Sequence, residues 1–432
     1  MRFTDLAGVA LTAAVALTAA ACGTAASPAG GGAASQASPS AGTASAAAGT
    51  PAAPASTGGA SAGAGSASAS PAVSCPGSPA AAVPAGTLTG LQFTSAATGW
   101  AVGRNVILAT TDGGAHWQPQ LTGPLNLTSV DFISGQDGWA AGPGILLATT
   151  DAGTQWTRLP EPCPVIRAVH FISPTTGFAV AGASGNGSGS GLPVLGGTVL
   201  ATSDGGHSWH ALAAPANAQS VCFSDPQHGW LGADGVLYRT SDGGHVWTSL
   251  TSLAGQAGSA GPDDPALMSV ECASGAAAWA LQTGPGAAMS QEPHVGYHAD
   301  QAGATAVFAE QYFQNQGAAP VAPAPGSYAG PFSALSPSAA VFVDWCTACG
   351  LGTAPWDVAT ASGAVLTKKG NVGDIASPEA ASFLSPQAGW VAGAAMEQNA
   401  AGQTRTQQRI VATADGRSWQ VQYAGPWSAW TG

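Results

Sequence analysis

The chain has 432 residues, of which 10 are Lys or Arg and 22 are Asp or Glu, so its formal charge is −12. Only 7% of the residues are charged and 45% are hydrophobic, and the chain is long enough to bury one large core or two ordinary ones. The one basic cluster is Lys368–Lys369, and so few cationic side chains exclude a nucleic-acid partner. The same scarcity excludes a cationic face for binding a membrane surface.

Residues 1–21 have the features of an export signal, with Arg2 followed by an apolar stretch, Leu6–Ala21, that is too short for a comfortable membrane span. The small residues before Cys22 resemble the lipobox of bacterial lipoproteins, in which the Cys is diacylated, although Ala19 stands where Leu is usual. The chain has seven Cys, and setting Cys22 aside leaves six that can pair. We therefore predict lipidation at Cys22 and an extracytoplasmic protein anchored to the outer face of the cytoplasmic membrane. Without lipidation, the chain would be cleaved and secreted.

Residues 22–85 consist almost entirely of Ala, Gly, Ser, Pro and Thr up to about Ser74. Asp5 and Arg104 enclose a stretch without any charged residue. No side chain between Cys22 and Ser74 is large enough to bury, so ordering this segment would cost backbone entropy with no compensating core. Residues 22–85 are therefore predicted to be a disordered tether that leads into the folded region, residues 86–432.

The folded region repeats itself. The units LQFTSAATGWAVGRNVILATTDGGAHW, VDFISGQDGWAAGPGILLATTDAGTQW and VCFSDPQHGWLGADGVLYRTSDGGHVW end at Trp117, Trp156 and Trp247. Two further clear units end at Trp209 and Trp419, and two weaker ones lie between Ser269 and Ala364. Each unit shows four short β-rich runs and no helical periodicity. Seven such units predict an all-β fold, a seven-bladed β-propeller of four-stranded antiparallel blades.

The sequence T-x-D-x-G-x-x-W near the end of a unit resembles the Asp-box, or bacterial neuraminidase repeat. Its Asp accepts hydrogen bonds from following backbone N–H groups, its Gly supplies positive φ, and its Trp is an apolar plug. The folded region looks closest to the photosystem II assembly and stability factor family and its exported bacterial relatives. In Asp-box families these turns lie on the outer rim, so structural roles are expected for Asp112, Trp117, Asp151, Trp156, Asp204, Trp209, Asp242, Trp247, Asp415 and Trp419.

Sialidases share these boxes, so a sialidase-like glycoside hydrolase is the sharpest enzyme hypothesis. Its chemistry needs three clustered Arg, a Tyr/Glu pair and an acid/base Asp. This chain has eight Arg, several of them in or beside boxes, and lacks the Phe/Tyr-Arg-Ile-Pro motif. Paired carboxylates from distant positions remain an open route to hydrolysis, and no catalytic residue is assigned.

One polar position recurs in the first strand of six units and defines what we call the polar column: Gln92, Asp131, His170, Cys222, Glu271 and Ser382. Its members Gln92, Asp131, His170 and Glu271 are candidates to line the central channel and bind a ligand. The alternative is that they are pore-lining or inter-blade polar groups with no ligand.

Exported Cys residues normally form disulfides. Cys346 and Cys349 suggest a local disulfide, while Cys75–Cys163 with Cys222–Cys272 is one of three connectivities for the other four. His294, His298 and Asp300 are weak metal candidates because Pro293 and Gly296 interrupt a helical face, so neither a metal nor a cofactor is predicted.

These observations predict a non-catalytic, lipid-anchored propeller that is a monomer and serves as a protein-binding or assembly scaffold outside the cytoplasm. The expected partner is an envelope protein. A glycan is the alternative ligand, and membrane contact is expected through the lipid only.

Overall fold

The computed structural model describes residues 87–184, 194–251, 266–273, 276–284, 292–309, 322–345, 354–361 and 370–431. All of them belong to one compact unit, Ala67–Gly432. The predictions for the signal peptide, Cys22, the tether, Cys75 and the Cys346–Cys349 pair lie outside these residues.

The described residues form seven sheets, each built from consecutive strands, and they confirm the predicted seven-bladed propeller. Blades 1 to 3 comprise β1 Leu88–Phe93, β2 Gly99–Thr110, β3 Gln118–Asn126; β4 Ser129–Phe132, β5 Gly138–Gly142, β6 Ile145–Thr149, β7 Thr157–Arg158; and β8 Ile166–Phe171, β9 Gly177–Ser184, β10 Val194–Thr202, β11 His210–Ala211. Blades 4 and 5 comprise β12 Ala218–Phe223, β13 Gly229–Ala233, β14 Val236–Thr240, β15 Thr248–Ser249; and β16 Leu267–Ala273, β17 Ala277–Thr283, β18 His294–Ala299, β19 Ala304–Ala309, β20 Ala322–Pro323. Blades 6 and 7 comprise β21 Phe332–Ser336, β22 Ala339–Val343, β23 Ala354–Thr360, β24 Gly370–Val372; and β25 Ser377–Ser385, β26 Ala388–Gln398, β27 Thr404–Thr413, β28 Gln420–Trp427.

Two sheets differ in strand count from the other five. In blade 5 the short β20 adds a parallel fifth strand to an otherwise antiparallel sheet. In blade 1 the long β2 pairs with β1 through its first half and with β3 through its second half. Within β2, Asn105 has φ of +69°, matching Gly144 at +70° in the turn between β5 and β6. We interpret β2 as the second and third strands of blade 1, joined by this turn.

The core lies between the blades, because each sheet buries both faces against its neighbours. One cluster joins blade 1 to blade 7 through Leu91, Phe93, Trp390 and Ile410. Ring closure is reinforced by the backbone N–H of Leu88, which donates to the Gln408 side chain (3.0 Å). Every described blade is therefore complete within its own stretch of chain, and side chains close the ring. Among the described residues there is no helix that could cross a membrane.

Candidate functional site

The box turns are rigid hydrogen-bonded units. In the first, Thr110 donates its hydroxyl to Asp112 Oδ1 (2.8 Å) and accepts the Gly114 N–H (2.9 Å), while Asp112 Oδ1 accepts the His116 N–H (2.9 Å). Gly113 and Gly114 have φ of +75° and +96°, a conformation that Gly adopts without a steric penalty, and Ala152 adopts it at +61° in the second box. Hydrogen bonds from His116 lower the pKa of Asp112 to about 2. The same pattern of Thr and Asp contacts recurs at Asp151, Asp204, Asp242 and Asp415.

At three junctions, a tryptophan from the second strand of one blade and the box tryptophan of the next blade contact the same phenylalanine. Trp100 of blade 1 stacks on Phe132 of blade 2 with ring centroids 3.5 Å apart, and Trp156 of the blade 2 box contacts Phe132 edge-on at 5.9 Å. The Trp100 indole N–H also donates to the Ala152 carbonyl inside the blade 2 box (3.3 Å). The box therefore anchors the neighbouring blade, with equivalent stacks at Trp139–Phe171 and Trp390–Phe93.

The polar column joins neighbouring innermost strands. The Gln92 side-chain amide both donates to the Phe132 carbonyl (3.2 Å) and accepts the Phe132 N–H (2.6 Å). Asp131 accepts the Phe171 N–H, and His170 Nε2 contacts the Phe223 carbonyl oxygen at 2.8 Å. Each of these side chains connects its blade to the next one.

The remaining junctions use other chemistry at the same level. Cys222 and Cys272 form the expected disulfide between blades 4 and 5. Glu271 accepts the Ala334 N–H (2.9 Å), and Ser333 and Ser382 accept the N–H groups of Phe383 (3.1 Å) and Phe93 (2.9 Å). Together with Ser333, which spans the junction of blades 6 and 7, the six side chains of this column thus span the seven junctions of the described ring. Cys163 is also disulfide-bonded, and its expected partner Cys75 lies outside the described residues.

A central cavity of about 280 Å³ lies where the innermost strands begin. We call it the mouth cavity. Its lining residues come from five blades: Gly90, Leu91, Thr128, Ser129, Val130, Ser269, Glu271, Gly330, Pro331, Phe332, Glu379, Ala380 and Ala381. The box turns lie at the opposite end, since the Gly113 N–H bonds the Ala97 carbonyl in the turn that follows β1 (2.8 Å). The mouth cavity and the boxes are therefore on different faces of the propeller.

Two carboxyl groups give the mouth cavity its chemistry. Burial raises the pKa of Glu271 to about 7, although the Ala334 N–H opposes this shift. Burial likewise raises the pKa of Glu379 to about 7, opposed by the Ser377 hydroxyl. Near neutral pH each carboxyl can donate or accept a hydrogen bond or exchange a proton, which suits a polar ligand.

Of the four predicted channel residues, Glu271 lines the mouth cavity, whereas Gln92, Asp131 and His170 are not among its lining residues. Burial raises the pKa of Asp131, against attraction to His170 and the Phe171 hydrogen bond. Ligand binding by these four residues stays a prediction. Glu379 was missed because it lies outside the polar column. One signal for it was available, since a carboxylate within an innermost strand is unusual in a chain with 7% charged residues.

The weak metal candidates are separated by the fold. His294 contacts Asp344 (3.1 Å), whereas Asp300 accepts backbone N–H groups of Ala302 and Gly303 in a turn. In the part of the chain that the structure describes, no three His, Cys, Asp or Glu side chains form a group suited to a metal ion.

The fold and these turns define the chain as a seven-bladed Asp-box β-propeller. Residues 81–216 match the family model described as photosynthesis system II assembly factor YCF48, which confirms the resemblance over that part of the chain. A search of curated proteins found no match.

Several solved structures are similar in fold. YCF48 from Cyanidioschyzon merolae is 15% identical with a TM-score of 0.35, covering 78% of this chain and 86% of that one. An ancestral GH74 enzyme is 14% identical with a TM-score of 0.45, covering 79% of this chain and 55% of that one, so this chain spans about half its length. The GH74 xyloglucanase from Xanthomonas campestris is 11% identical with a TM-score of 0.33, covering 75% of this chain and 62% of that one.

Proposed function

We propose that this propeller is a non-catalytic scaffold that binds a protein partner outside the cytoplasm, held at the membrane by a lipid on Cys22. The observation that carries the proposal is that the repeated polar side chains already have structural partners. Side chains of the polar column bond the neighbouring blade, and the box carboxylates bond backbone N–H groups within their own turns. The repeated polar residues therefore build a stable ring, and the mouth cavity offers a place for a ligand. The match of residues 81–216 to an assembly-factor family agrees with a scaffold.

The distribution of Arg also favours binding over sialidase-type chemistry. Arg158 pairs with Glu161 beside β7, while Arg405 pairs with Glu397 (2.6 Å) in blade 7. Arg239 lies on β14 in blade 4. Recognition of a substrate carboxylate by three Arg needs these side chains to converge. None of the residues that line the mouth cavity is an Arg.

The proposal is tested by placing a bulky side chain in the mouth cavity. Ser269 lines it with an exposed side chain. The full-length chain in detergent is used to isolate a partner from solubilised envelope proteins, and the purified partner is then titrated against Ser269→Trp. The matched control is Val246→Trp, at an exposed position in a box on the opposite face.

We expect at least about tenfold weaker binding for Ser269→Trp and unchanged binding for Val246→Trp. Equal affinity of both variants, or the absence of any saturable protein partner, would refute a scaffold that binds through the mouth cavity.

A glycan is the second candidate ligand, and one observation favours it: Glu271 and Glu379 line the same cavity beside the polar Thr128 and Ser129. A glycan array run with the same protein tests this alternative. Glycan binding without a protein partner would reverse the order of the two proposals. Hydrolysis of a bound glycan, measured with Glu271→Gln, Glu379→Gln and Asp131→Asn, would then show whether these carboxyls act on it.

A further inference from the structure

A buried ionic pair joins blades 5 and 6 near the mouth cavity. His294 is the first residue of β18, and Asp344 directly follows β22. Both side chains are 0% exposed, and His294 Nε2 lies 3.1 Å from Asp344 Oδ2. The other ring nitrogen, Nδ1, lies 2.7 Å from the backbone carbonyl oxygen of Glu292.

The hydrogen-bond partners favour a charged ring. A carbonyl oxygen can only accept, so His294 Nδ1 must carry a proton. Asp344 Oδ2 accepts the Gly326 N–H (2.9 Å) and has a second acceptor position for a proton on His294 Nε2. This arrangement suits an imidazolium beside a carboxylate. Burial disfavours the charged ring, but attraction to Asp344 and the hydrogen bonds to Asp344 and Glu292 outweigh it, so the pKa of His294 lies above its usual value.

The pair holds a segment that leads to the mouth cavity. We call residues 324–331 the strap. Its Gly326 N–H bonds Asp344, its Ser327 carbonyl accepts the Glu292 N–H (2.7 Å), and its Ala329 N–H donates to the Glu292 side chain (3.2 Å). Tyr328 exchanges two backbone hydrogen bonds with Trp345, the residue after Asp344 (both 3.1 Å).

The strap fits closely against Asp344. A Cβ atom on Gly326 would lie 2.7 Å from the Cβ atom of Asp344, so the two backbones have no spare space between them. At its far end the strap supplies Gly330 and Pro331 to the lining of the mouth cavity. Movement of the strap would therefore change the shape of that cavity.

Loss of the ring proton would weaken this arrangement. A neutral His294 would keep the proton on Nδ1 and turn an unprotonated Nε2 toward Asp344, so that two acceptors would face each other. Asp344 Oδ1 is buried and without a hydrogen-bond partner among the described residues. Deprotonation of the ring would therefore remove the positive charge that offsets the buried carboxylate. The charged groups facing the ring are Asp344 from blade 6 and Glu292 from the chain before β18. Glu271 and Glu379 titrate at the far end of the strap, on the mouth cavity.

We propose that the buried His294–Asp344 pair is a pH-sensitive latch, which holds the strap in place while the ring is protonated and releases it when the ring loses its proton. The direction follows from linkage: a group with a raised pKa in the folded state stabilises that state at low pH and loses this effect as pH rises through the raised value. Release of the strap would alter binding at the mouth cavity, a consequence that rests on the proposed function. The latch itself does not depend on it.

The test uses the full-length chain and two readouts. The imidazole of His294 is titrated by NMR, and hydrogen exchange of the strap amides 326–329 is measured from about pH 6 to about pH 10, corrected for intrinsic exchange. We expect His294 to titrate above the usual histidine value and strap protection to fall about tenfold or more as it does so. Amides of blade 2 are expected to keep their protection.

The variant His294→Gln has no titrating ring at this position and should remove the loss of strap protection that accompanies titration of His294. The matched control is His228→Gln, which removes a partly buried His that contacts Asp225 at 2.9 Å. This control should behave as the unmodified chain. If His294→Gln does not fold, the titration of the unmodified chain decides alone. A His294 that titrates at or below the usual value, or strap protection unchanged across this range, would overturn the latch and leave the scaffold proposal untouched.

Discussion

The indole of Trp390 in the last blade stacks on the phenyl ring of Phe93 in the first, with ring centroids 3.6 Å apart and planes 8° from parallel. The same indole N–H donates to the Gly113 carbonyl in the blade 1 box (2.8 Å). The first and last blades are thus joined by the same kind of contact that Trp100 makes between blade 1 and blade 2. The junction of blades 7 and 1 is the seam of the ring. We expect Trp390→Ala to destabilise the fold by about 3–5 kcal/mol, because it leaves a large void at this seam.

Denaturant unfolding measures this effect, and Trp430→Ala is the control, since that ring is 40% exposed. The control should change stability by less than about 1 kcal/mol. A Trp390→Ala protein as stable as the control would mean that the seam is held by other contacts.

The box carboxylates predict sensitivity to acid. Hydrogen bonds lower the pKa of Asp112 from 3.8 to about 2, so its contribution to stability is present above the unfolded value and is lost as pH falls through about 2. Asp112→Asn keeps an acceptor oxygen but carries no charge. We expect its stability to change less between about pH 4 and pH 2 than that of the unmodified chain, measured by acid unfolding. Asp374→Asn, at a carboxylate that is 61% exposed, should not reproduce the change.

At the junction of blades 4 and 5, the Cys222–Cys272 disulfide takes the place of two contacts seen at other junctions. These are the hydrogen bond of the polar column and the stack of an indole on a phenylalanine. In blade 5, Cys272 stands where blades 2 and 3 have the phenylalanine that accepts the stacked indole. Trp230 therefore lacks such a stack, and its indole nitrogen has no hydrogen-bond partner among the described residues. We expect the double variant Cys222→Ala/Cys272→Ala to lose about 2–4 kcal/mol.

Denaturant unfolding without reductant checks the loss in the double variant. Ser220→Ala at the same junction removes a hydrogen bond to the Val270 N–H (3.1 Å) and should cost about 1 kcal/mol. A double variant no less stable than Ser220→Ala would show that the disulfide does not reinforce this junction.

Glu271 and Glu379 should give the free energy of unfolding a pH dependence opposite to that from the box carboxylates. Burial raises the pKa of each from 4.5 to about 7, so between these values the unfolded chain has lost protons that the folded chain retains. Their contribution to stability should fall as pH rises from about 4.5 to about 7. The double variant Glu271→Gln/Glu379→Gln should remove most of this fall, on the order of 2–3 kcal/mol per residue.

Unfolding free energies at a series of pH values give the result, and Glu397→Gln is the control because its carboxylate is 47% exposed. Parallel pH profiles for the unmodified chain and the double variant would show that the two carboxyls are not protonated near neutral pH in the folded state.

If Cys22 carries a lipid, the protein should stay in the membrane fraction. Expressed in a bacterium, the full chain should incorporate a labelled fatty acid and remain with the membrane after a salt wash. Cys22→Ala should incorporate no label and should be released. Cys75→Ala is the control for loss of a Cys, and it should keep the lipid. Label on Cys22→Ala would place the acyl group elsewhere.

The blades could be predicted from the sequence because the same local motifs recur in successive units. Phe132, Trp139 and Trp156 occur at fixed spacing in one unit, and each has a counterpart in the next. The weaker blades 5 and 6 followed from the remaining strand pattern and from the need to close a ring. The polar column was also visible as a repeated position.

The contacts between units were harder to predict. Nothing in the local sequence shows that Gln92 bonds the backbone of Phe132, because that depends on the distance between two blades. Glu379 and the His294–Asp344 pair occur once each, so no repeat marks them. Their surroundings arise from strands far apart in the chain, and burial of a lone carboxylate or imidazole can be recognised only in three dimensions.

The strands of each blade follow one another along the chain, and among the described residues no strand crosses the junction between blade 7 and blade 1. An amide, a carboxylate, an imidazole, a disulfide and hydroxyl groups all serve as connectors at one level of the ring. A gene encoding such a protein can therefore gain or lose a whole blade by duplication or deletion without dividing any hydrogen-bonded sheet. The new neighbours need only one workable connector, and several unrelated side chains already fill that role here.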